Sequence, residues 1–518
     1  MEQPETNKWL ITISVMLPTL IEILDTSVAN VALPHIQGGL SASQDEVTWV
    51  LTSYLVSNAV VIPMSGWLSR LVGRKKYLLG SLVMFTLSSM LCGSATTLFE
   101  MIVFRVIQGV GGGGLQPLSQ AILFETFPAE QRGMAVGIFG MGAVLGPVLG
   151  PLVGGYLTDN YSWRWIFYIN VPLGILALVL ISLFVFDPSY LERRIQGEKT
   201  DYVGIALLTL GLGSLQIVLD KGERDDWFSS NFIVTLTVVA VVCLIGLVVW
   251  ELIYEHPILD LRIFKDRSFA TGNVVMFFTF FAFYGSLVLL PLYVQTLMGY
   301  TAFLAGLVLG PGGALLVVMF PLAGRLPERI DARYLLGTGL IINAYSVYYM
   351  SGFNGLIDFH TAVMGRLIQG IGMPLVFVGI TYLTMAYVPK ERMNNASAMF
   401  NLLRNLGSSC GIAFVSTMLE RRSQFHQFRL TDSLIQSNPQ LALPIEQMKS
   451  YLDLKMGAFA GHTKLAMQSI YLQLQQQATS LAFNDVFFLQ ALIFLALVGT
   501  VWIIRKPPKG DKPPMAAH

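Results

Sequence analysis

Apolar and polar positions alternate along this chain in long blocks, giving fourteen apolar stretches joined by mostly short polar connections. The stretches fall at 10–32, 47–67, 77–97, 100–123, 134–157, 165–186, 202–219, 231–251, 269–290, 302–322, 334–353, 361–385, 396–418 and 485–504. A helix rises about 1.5 Å per residue, so some 20 apolar residues cross roughly 30 Å of hydrocarbon. The pattern predicts an all-α integral membrane protein with fourteen spans. The first stretch lacks a basic start and is interrupted by Glu22 and Asp25, so it reads as an uncleaved span rather than a signal peptide.

Composition agrees: 54% hydrophobic and 13% charged residues exclude a soluble globular chain. The net charge of +1 points to no nucleic acid, and Cys92, Cys243 and Cys410 lie inside apolar stretches as small hydrophobes. No disulfide framework or metal site is expected. Lys and Arg are distributed unevenly. One set of loops holds Lys8, Arg70, Arg74, Lys75, Lys76, Arg132, Arg193, Arg194, Lys199, Arg262, Lys265, Arg267, Arg325, Arg329, Arg333, Lys390, Arg392, Arg505, Lys506, Lys509 and Lys512. The short loops of the other set hold only Arg164, Lys221 and Arg224. Positive charge marks the cytoplasmic side, which places both termini there and requires an even number of spans.

The fifth stretch is unusual. Gly137, Gly146, Gly150, Gly154 and Gly155 bare one helix face for close approach, while Pro147 and Pro151 each remove a backbone donor. A tightly packed span of this kind is a hinge or a seal between moving parts. The chain also repeats itself. Arg105-Val-Ile-Gln108-Gly109-Val-Gly111 returns as Arg366-Leu-Ile-Gln369-Gly370-Ile-Gly372, and the same offset carries Pro128 onto Pro389, Glu130 onto Glu391, Ala135 onto Ala396, Gly146 onto Gly407 and Gly150 onto Gly411. The prolines break the match, because Pro147 and Pro151 fall on Ser408 and Ile412. Two parallel six-helix halves with two helices inserted between them follow: residues 1–190, 191–265 and 266–518.

Four motifs carry a family resemblance. Leu24-Asp25-Thr26-Ser27-Val28-Ala29-Asn30-Val31-Ala32-Leu33-Pro34, the set Arg105, Gln108, Gly109 and Gly111, the fifth-span glycine-proline run, and Trp163-Arg164-Trp165-Ile166-Phe167-Tyr168-Ile169-Asn170-Val171-Pro172-Leu173-Gly174 together resemble the fourteen-helix drug:proton antiporters of the major facilitator superfamily, EmrB-type exporters among them. The resemblance covers essentially the whole chain. It implies the major facilitator fold in a 6+2+6 arrangement, located in the bacterial inner membrane. It also implies a periplasmic membrane-fusion adaptor (EmrA-type) and an outer-membrane channel (TolC-type) as partners. One position departs from the pattern: in the loop Gly66 to Lys76, Arg70 stands where relatives carry an aspartate that latches the cytoplasmic side. Only the turn at Gly73 and the basic cluster with Arg74 carry over.

Five ionisable side chains fall well inside the spans: Glu22, Asp25, Arg105, Arg366 and Arg404. Each costs at least a few kcal/mol at the bilayer centre and is a functional candidate by default. Asp25 and Arg105 each lie roughly 22 Å up from the cytoplasmic face, so they pair if their helices meet. Glu22, at i−3, is expected on the same helix face, giving two carboxylates beside one arginine as the proton-coupling group. A static ion pair that fixes helix packing is the competing reading for both acids. Arg366 has no acidic mate in its half and is expected to bond carbonyls. Arg404 is expected to snorkel toward the cytoplasmic end or serve gating.

Gly111-Gly112-Gly113-Gly114 lacks the strand and Gly-Lys-Ser/Thr of a phosphate loop and reads as close helix packing. Asn30, Gln108, Phe277, Phe281 and Tyr284 are candidates to line a drug cavity, with packing as the alternative for the rings. The loop at 420–483 is too long to be structureless. Leu465, Ile470, Tyr471, Leu474, Ala478 and Leu481 recur at helical spacing, with Gln473, Gln475, Gln476 and Gln477 on other faces. This reads as an outer helical lobe, either a dock for the adaptor or a cap on the cavity. No nucleophile set or nucleotide motif points to an enzyme. The expected activity is proton-coupled export of lipophilic or cationic drug-like compounds, without cofactor. A facilitator-fold importer of a polar solute and a non-transporting receptor or scaffold are the alternatives.

Overall fold

The computed structural model describes residues 7–128, 131–187, 200–431, 439–456 and 462–506. Glu130, Arg193, Arg194, Lys199, Lys509, Lys512 and the boundary at 190/191 lie outside the described residues, as do 432–438 and 457–461 of the outer loop.

Helices follow one another in the order α1 (Lys8–Gly39), α2 (Gln44–Val47), α3 (Trp49–Val72), α4 (Arg74–Ser94), α5 (Leu98–Gly112), α6 (Leu115–Thr126), α7 (Arg132–Asn160), α8 (Trp165–Tyr168) and α9 (Asn170–Phe184). Then come α10 (Tyr202–Lys221) and α11 (Asn231–Ile253). The remainder is α12 (Arg267–Thr296), α13 (Ala302–Arg325), α14 (Ala332–Met350), α15 (Phe359–Met385), α16 (Met393–Thr431), α17 (Pro439–Met456) and α18 (His462–Thr500). Every expected span falls on a described helical stretch. Eleven candidate spans are long and apolar enough to cross a bilayer on length and composition; α7, α14 and α16 are not among them.

The fourth span is broken between α5 and α6 at Gly113–Gly114. A Cβ on Gly113 would meet Val61 at 2.8 Å, and one on Gly114 would meet the Tyr77 hydroxyl at 2.6 Å, so the glycine run serves helix contact. Helices α1 to α9 pack mainly on one another, as do α12 to α18; α7 against α13 and α3 and α6 against α16 join the two groups. Helix α10 leans on α11, α3 and α16. Most of α11 is exposed and apolar all round, including Val238, Val241, Val242, Ile245 and Val249, as a lipid-facing helix requires.

The outer loop differs from expectation. Helix α16 does not stop near 418 but runs to Thr431, and α18 begins at His462, well before 485, so two spans rise out of the bundle as continuous rods. Residues 419–431 are polar but contain neither glycine nor proline, so nothing in them ends the helix. The rods are tied together at their base: Arg422 Nε donates to Asp485 Oδ2 at 2.7 Å, and His426 Nε2 lies 2.7 Å from the same oxygen. The buried stripe of α18 is Ala466, Leu474, Ala478 and Ala482, while Leu465, Tyr471 and Leu481 are exposed. The predicted face was therefore right at Leu474 and Ala478 and rotated elsewhere.

Candidate ion-coupling site

Helix α1 buries both of its acids, and the structure brings Asp25 together with Arg105. Arg105 Nη1 donates to Asp25 Oδ2 at 2.6 Å, and Arg105 is 0% exposed. The other oxygen, Asp25 Oδ1, accepts from Gln108 Nε2 at 2.9 Å and Asn170 Nδ2 at 2.8 Å. Arg105 is held in turn by the Val50 carbonyl (3.0 Å) and Gln108 Oε1 (2.8 Å), with its guanidinium 4.3 Å from the Tyr54 ring centre. Asn170 is fixed by a 3.0 Å bond to Ser89 Oγ. The carboxylate is thus saturated with donors, one of them charged.

Glu22 belongs to a different set of contacts, contrary to the expected cluster around Arg105. Three residues along a helix also means a turn of about 60°, enough to aim the side chain at other neighbours. Its Oε1 accepts from Tyr54 Oη at 3.3 Å and Asn58 Nδ2 at 3.2 Å, and Oε2 accepts from Gln116 Nε2. The Gln116 oxygen accepts from Arg404 Nη2 on α16. One glutamine therefore links the carboxylate of α1 to a guanidinium of the second helix group. Asn401 repeats the crossing below, donating to Gln120 Oε1 at 2.5 Å. Tyr54 joins the two sets of contacts, its hydroxyl on Glu22 and its ring against Arg105.

Arg404 does not snorkel: it is buried, lies 5.8 Å from the Phe280 ring centre and has an Nη1 with no hydrogen-bond partner among the described residues. Arg366 bonds the side chain of Gln369 rather than backbone carbonyls, and Gln369 passes the contact on to Ser286 Oγ at 2.8 Å. Gln108 is spent within the Asp25 network, and Asn30 is exposed. Phe277 and Phe281 pack with Phe278 and Phe414 along the seam of α12 and α16, while Tyr284 stacks on Phe280 at 5.8 Å. Tyr54, Asn58, Gln116 and Asn401 escape the sequence reading, and Asn170 enters it only as part of a motif, although polar side chains inside apolar stretches are the available signal.

The glycines of α7 divide by partner. Gly146, Gly150 and Gly154, spaced by four, abut Ile23, Ser27 and Val28 of α1. Gly137 abuts α13, where a Cβ would sit 2.6 Å from the Phe320 carbonyl oxygen, and Gly155 has open space. Helix α7 runs unbroken through positions 147 and 151. At the basic end of the bundle, Gly73 takes φ +96° and Arg74 pairs with Glu125 at 2.6 Å. Arg70 is exposed; the contact beside it is made by Asn394 Nδ2 donating to Ser69 Oγ at 3.2 Å. Above lies an aromatic plug, with Phe377 5.8 Å from Phe320 and 6.4 Å from Phe139. At this end a neutral amide and packed rings make contacts between the two helix groups.

The α7–α13 contact yields a prediction. Gly137→Val overpacks the α7–α13 contact by about 1–3 kcal/mol, a shift of roughly 5–150-fold toward separation there. A cysteine at position 69, in a background lacking the native cysteines, is expected to react faster with a membrane-impermeant thiol reagent from the basic side. An unchanged rate would show that this contact does not hold the end shut.

The sequence model of the Major Facilitator Superfamily matches residues 15–412. The multidrug export protein EmrB of Escherichia coli K12 is 39% identical over 502 residues, covering 97% of this chain and 96% of that protein. The fatty acid resistance protein FarB of Neisseria gonorrhoeae is 35% identical over 497 residues, covering 96% of each. Among solved structures, the human organic anion transporter MFSD10 superposes with a TM-score of 0.59 at 14% identity, covering 95% of this chain and 100% of that one. The proton:xylose symporter XylE gives 0.54 at 17%, covering 95% and 96%; both share the fold. The chain is a multi-pass membrane transporter that belongs to the Major Facilitator Superfamily, in its EmrB-type group of multidrug export proteins.

Proposed function

We propose that this protein exports lipophilic or cationic drugs from the cytoplasm in exchange for inward-moving protons, with the span-1 carboxyls carrying the proton. The observation that carries the reading is the chain from Glu22 through Gln116 to Arg404, which spans the two helix groups. Asp25 is tied directly to Arg105, whereas Glu22 meets only neutral donors, so Glu22 is the point of exchange and Asp25 the anchor. With Glu22 ionised, Arg404 is balanced through one amide. Protonation leaves Arg404 as an uncompensated positive charge beside the site and releases a cationic drug; deprotonation restores a place for it.

In this reading residues 1–190 and 266–518 are the rocking halves and 191–265 an inserted pair. Both termini are cytoplasmic, the membrane is the bacterial inner membrane, and the proton gradient replaces any cofactor. The rods α16 and α18, with α17 packed on α18, form an outer lobe with Phe425, Phe428 and Leu472 exposed, a surface suited to an EmrA-type adaptor leading to a TolC-type channel. The test is drug uptake into everted vesicles under an imposed pH gradient. Uptake that rises with the gradient and collapses with a protonophore supports exchange; uptake indifferent to the gradient would overturn it.

A further inference from the structure

Beneath the inserted helices, at the basic end, two buried carboxyls face each other away from the span-1 site. Asp201 caps α10 and is 2% exposed; Glu251, in the last turn of α11, is 0% exposed. Asp201 Oδ1 takes both local donors, the Gly204 amide at 2.8 Å and Trp250 Nε1 at 2.8 Å. Glu251 Oε2 accepts from the Leu259 amide at 3.3 Å. Among the described residues, the remaining oxygens, Asp201 Oδ2 and Glu251 Oε1, are buried without a hydrogen-bond partner. Both crowd a single point above Gly204: a Cβ there would collide with Asp201 Oδ2 and lie 2.8 Å from Glu251 Oε1.

Two buried acceptors aimed at one spot, with no donor between them among the described residues, are costly as a pair of charges. A single proton changes this, turning one oxygen into a donor directed toward the other and removing one of the two like charges. We infer that Asp201 and Glu251 form a second proton-binding site, holding one shared proton that clasps α10 to α11. Losing that proton places two like charges against Gly204 and loosens the clasp.

The charged surroundings are mixed. Asp260 acts on Glu251 electrostatically and is itself 3.7 Å from Arg392. Arg262 donates to the Tyr254 carbonyl at 3.3 Å, and Glu255 and His256 follow on the same turn. The segment after α11 adds Lys265 and Asp266, the turn before α16 adds Lys390 and Glu391, and α3, packed along α10, carries Arg70 at its exposed end.

Trp250 is a built-in reporter, bonded to Asp201 and stacked on Tyr254 at 5.5 Å. The experiment is the pH dependence of fluorescence in the intact purified protein, taken as wild type minus Trp250→Phe. One proton-binding step is expected, and Glu251→Gln is expected to abolish it or to move its midpoint by about one pH unit or more. The absence of a step in the wild type, or a midpoint unmoved by Glu251→Gln, overturns the proposal. Should that variant fail to fold, infrared spectroscopy of the wild type decides. A protonated-carboxyl band must titrate together with the Trp250 signal, and a band that does not would count against the shared proton.

Discussion

Glu22→Gln is expected to make drug efflux insensitive to the pH gradient while leaving the protein folded. Glutamine keeps the size of the side chain and an acceptor oxygen for Tyr54 and Asn58, so the packing between α1, α3 and α6 survives. What disappears is the group that exchanges a proton within reach of Arg404 through Gln116. A coupling free energy of the usual size, about 1–3 kcal/mol, is lost, so gradient-driven uptake in everted vesicles should fall by roughly 5–150-fold. Drug binding itself is expected to become independent of pH across the range where the wild type varies. Gradient-driven uptake retained at the wild-type level would remove Glu22 from the mechanism.

The second large effect is expected from Asp25→Asn, and it is of another kind. Here the substitution strands a fully buried guanidinium, since Arg105 loses its only direct carboxylate among the described residues. Removing one partner of a buried pair costs about 3–5 kcal/mol, so thermal unfolding in detergent should shift markedly downward. Transport should fall with it. The double variant Asp25→Asn/Arg105→Gln removes the stranded charge and is expected to recover much of the stability. It should not recover exchange, because the anchor that positions Tyr54 between the two acids is gone. Full recovery of transport by the neutral pair would mean that Asp25 and Arg105 are packing residues only.

These two acids also show what the sequence makes legible. The Asp25–Arg105 pair follows from arithmetic along two antiparallel spans, because helix rise fixes depth and depth fixes who can meet. Azimuth is harder. Glu22 is one helix turn from Asp25 yet points to α3, α6 and, through Gln116, α16, and only the packed structure settles which neighbours lie there. Arg404 lies deeper than its sequence position suggests because α16 begins at Met393, which adds a few ångströms of depth, and because its amide partner lies on another helix. The four-residue spacing of Gly146, Gly150 and Gly154 did announce one close helix contact, but Gly137 serves a different partner. The lobe at 420–483 is visible in the sequence as a long helical segment. Its continuity with α16 and α18 was not, since apolarity marks where membrane ends and says nothing about where a helix ends.

The most direct measurement of the central claim is the number of protons released when a cationic drug binds the purified protein in weakly buffered solution, read with a pH dye. Wild type is expected to release protons in proportion to drug bound, and Glu22→Gln to bind with little or no release. Equal release from wild type and Glu22→Gln would contradict the account, placing the exchanged proton elsewhere than on span 1's Glu22.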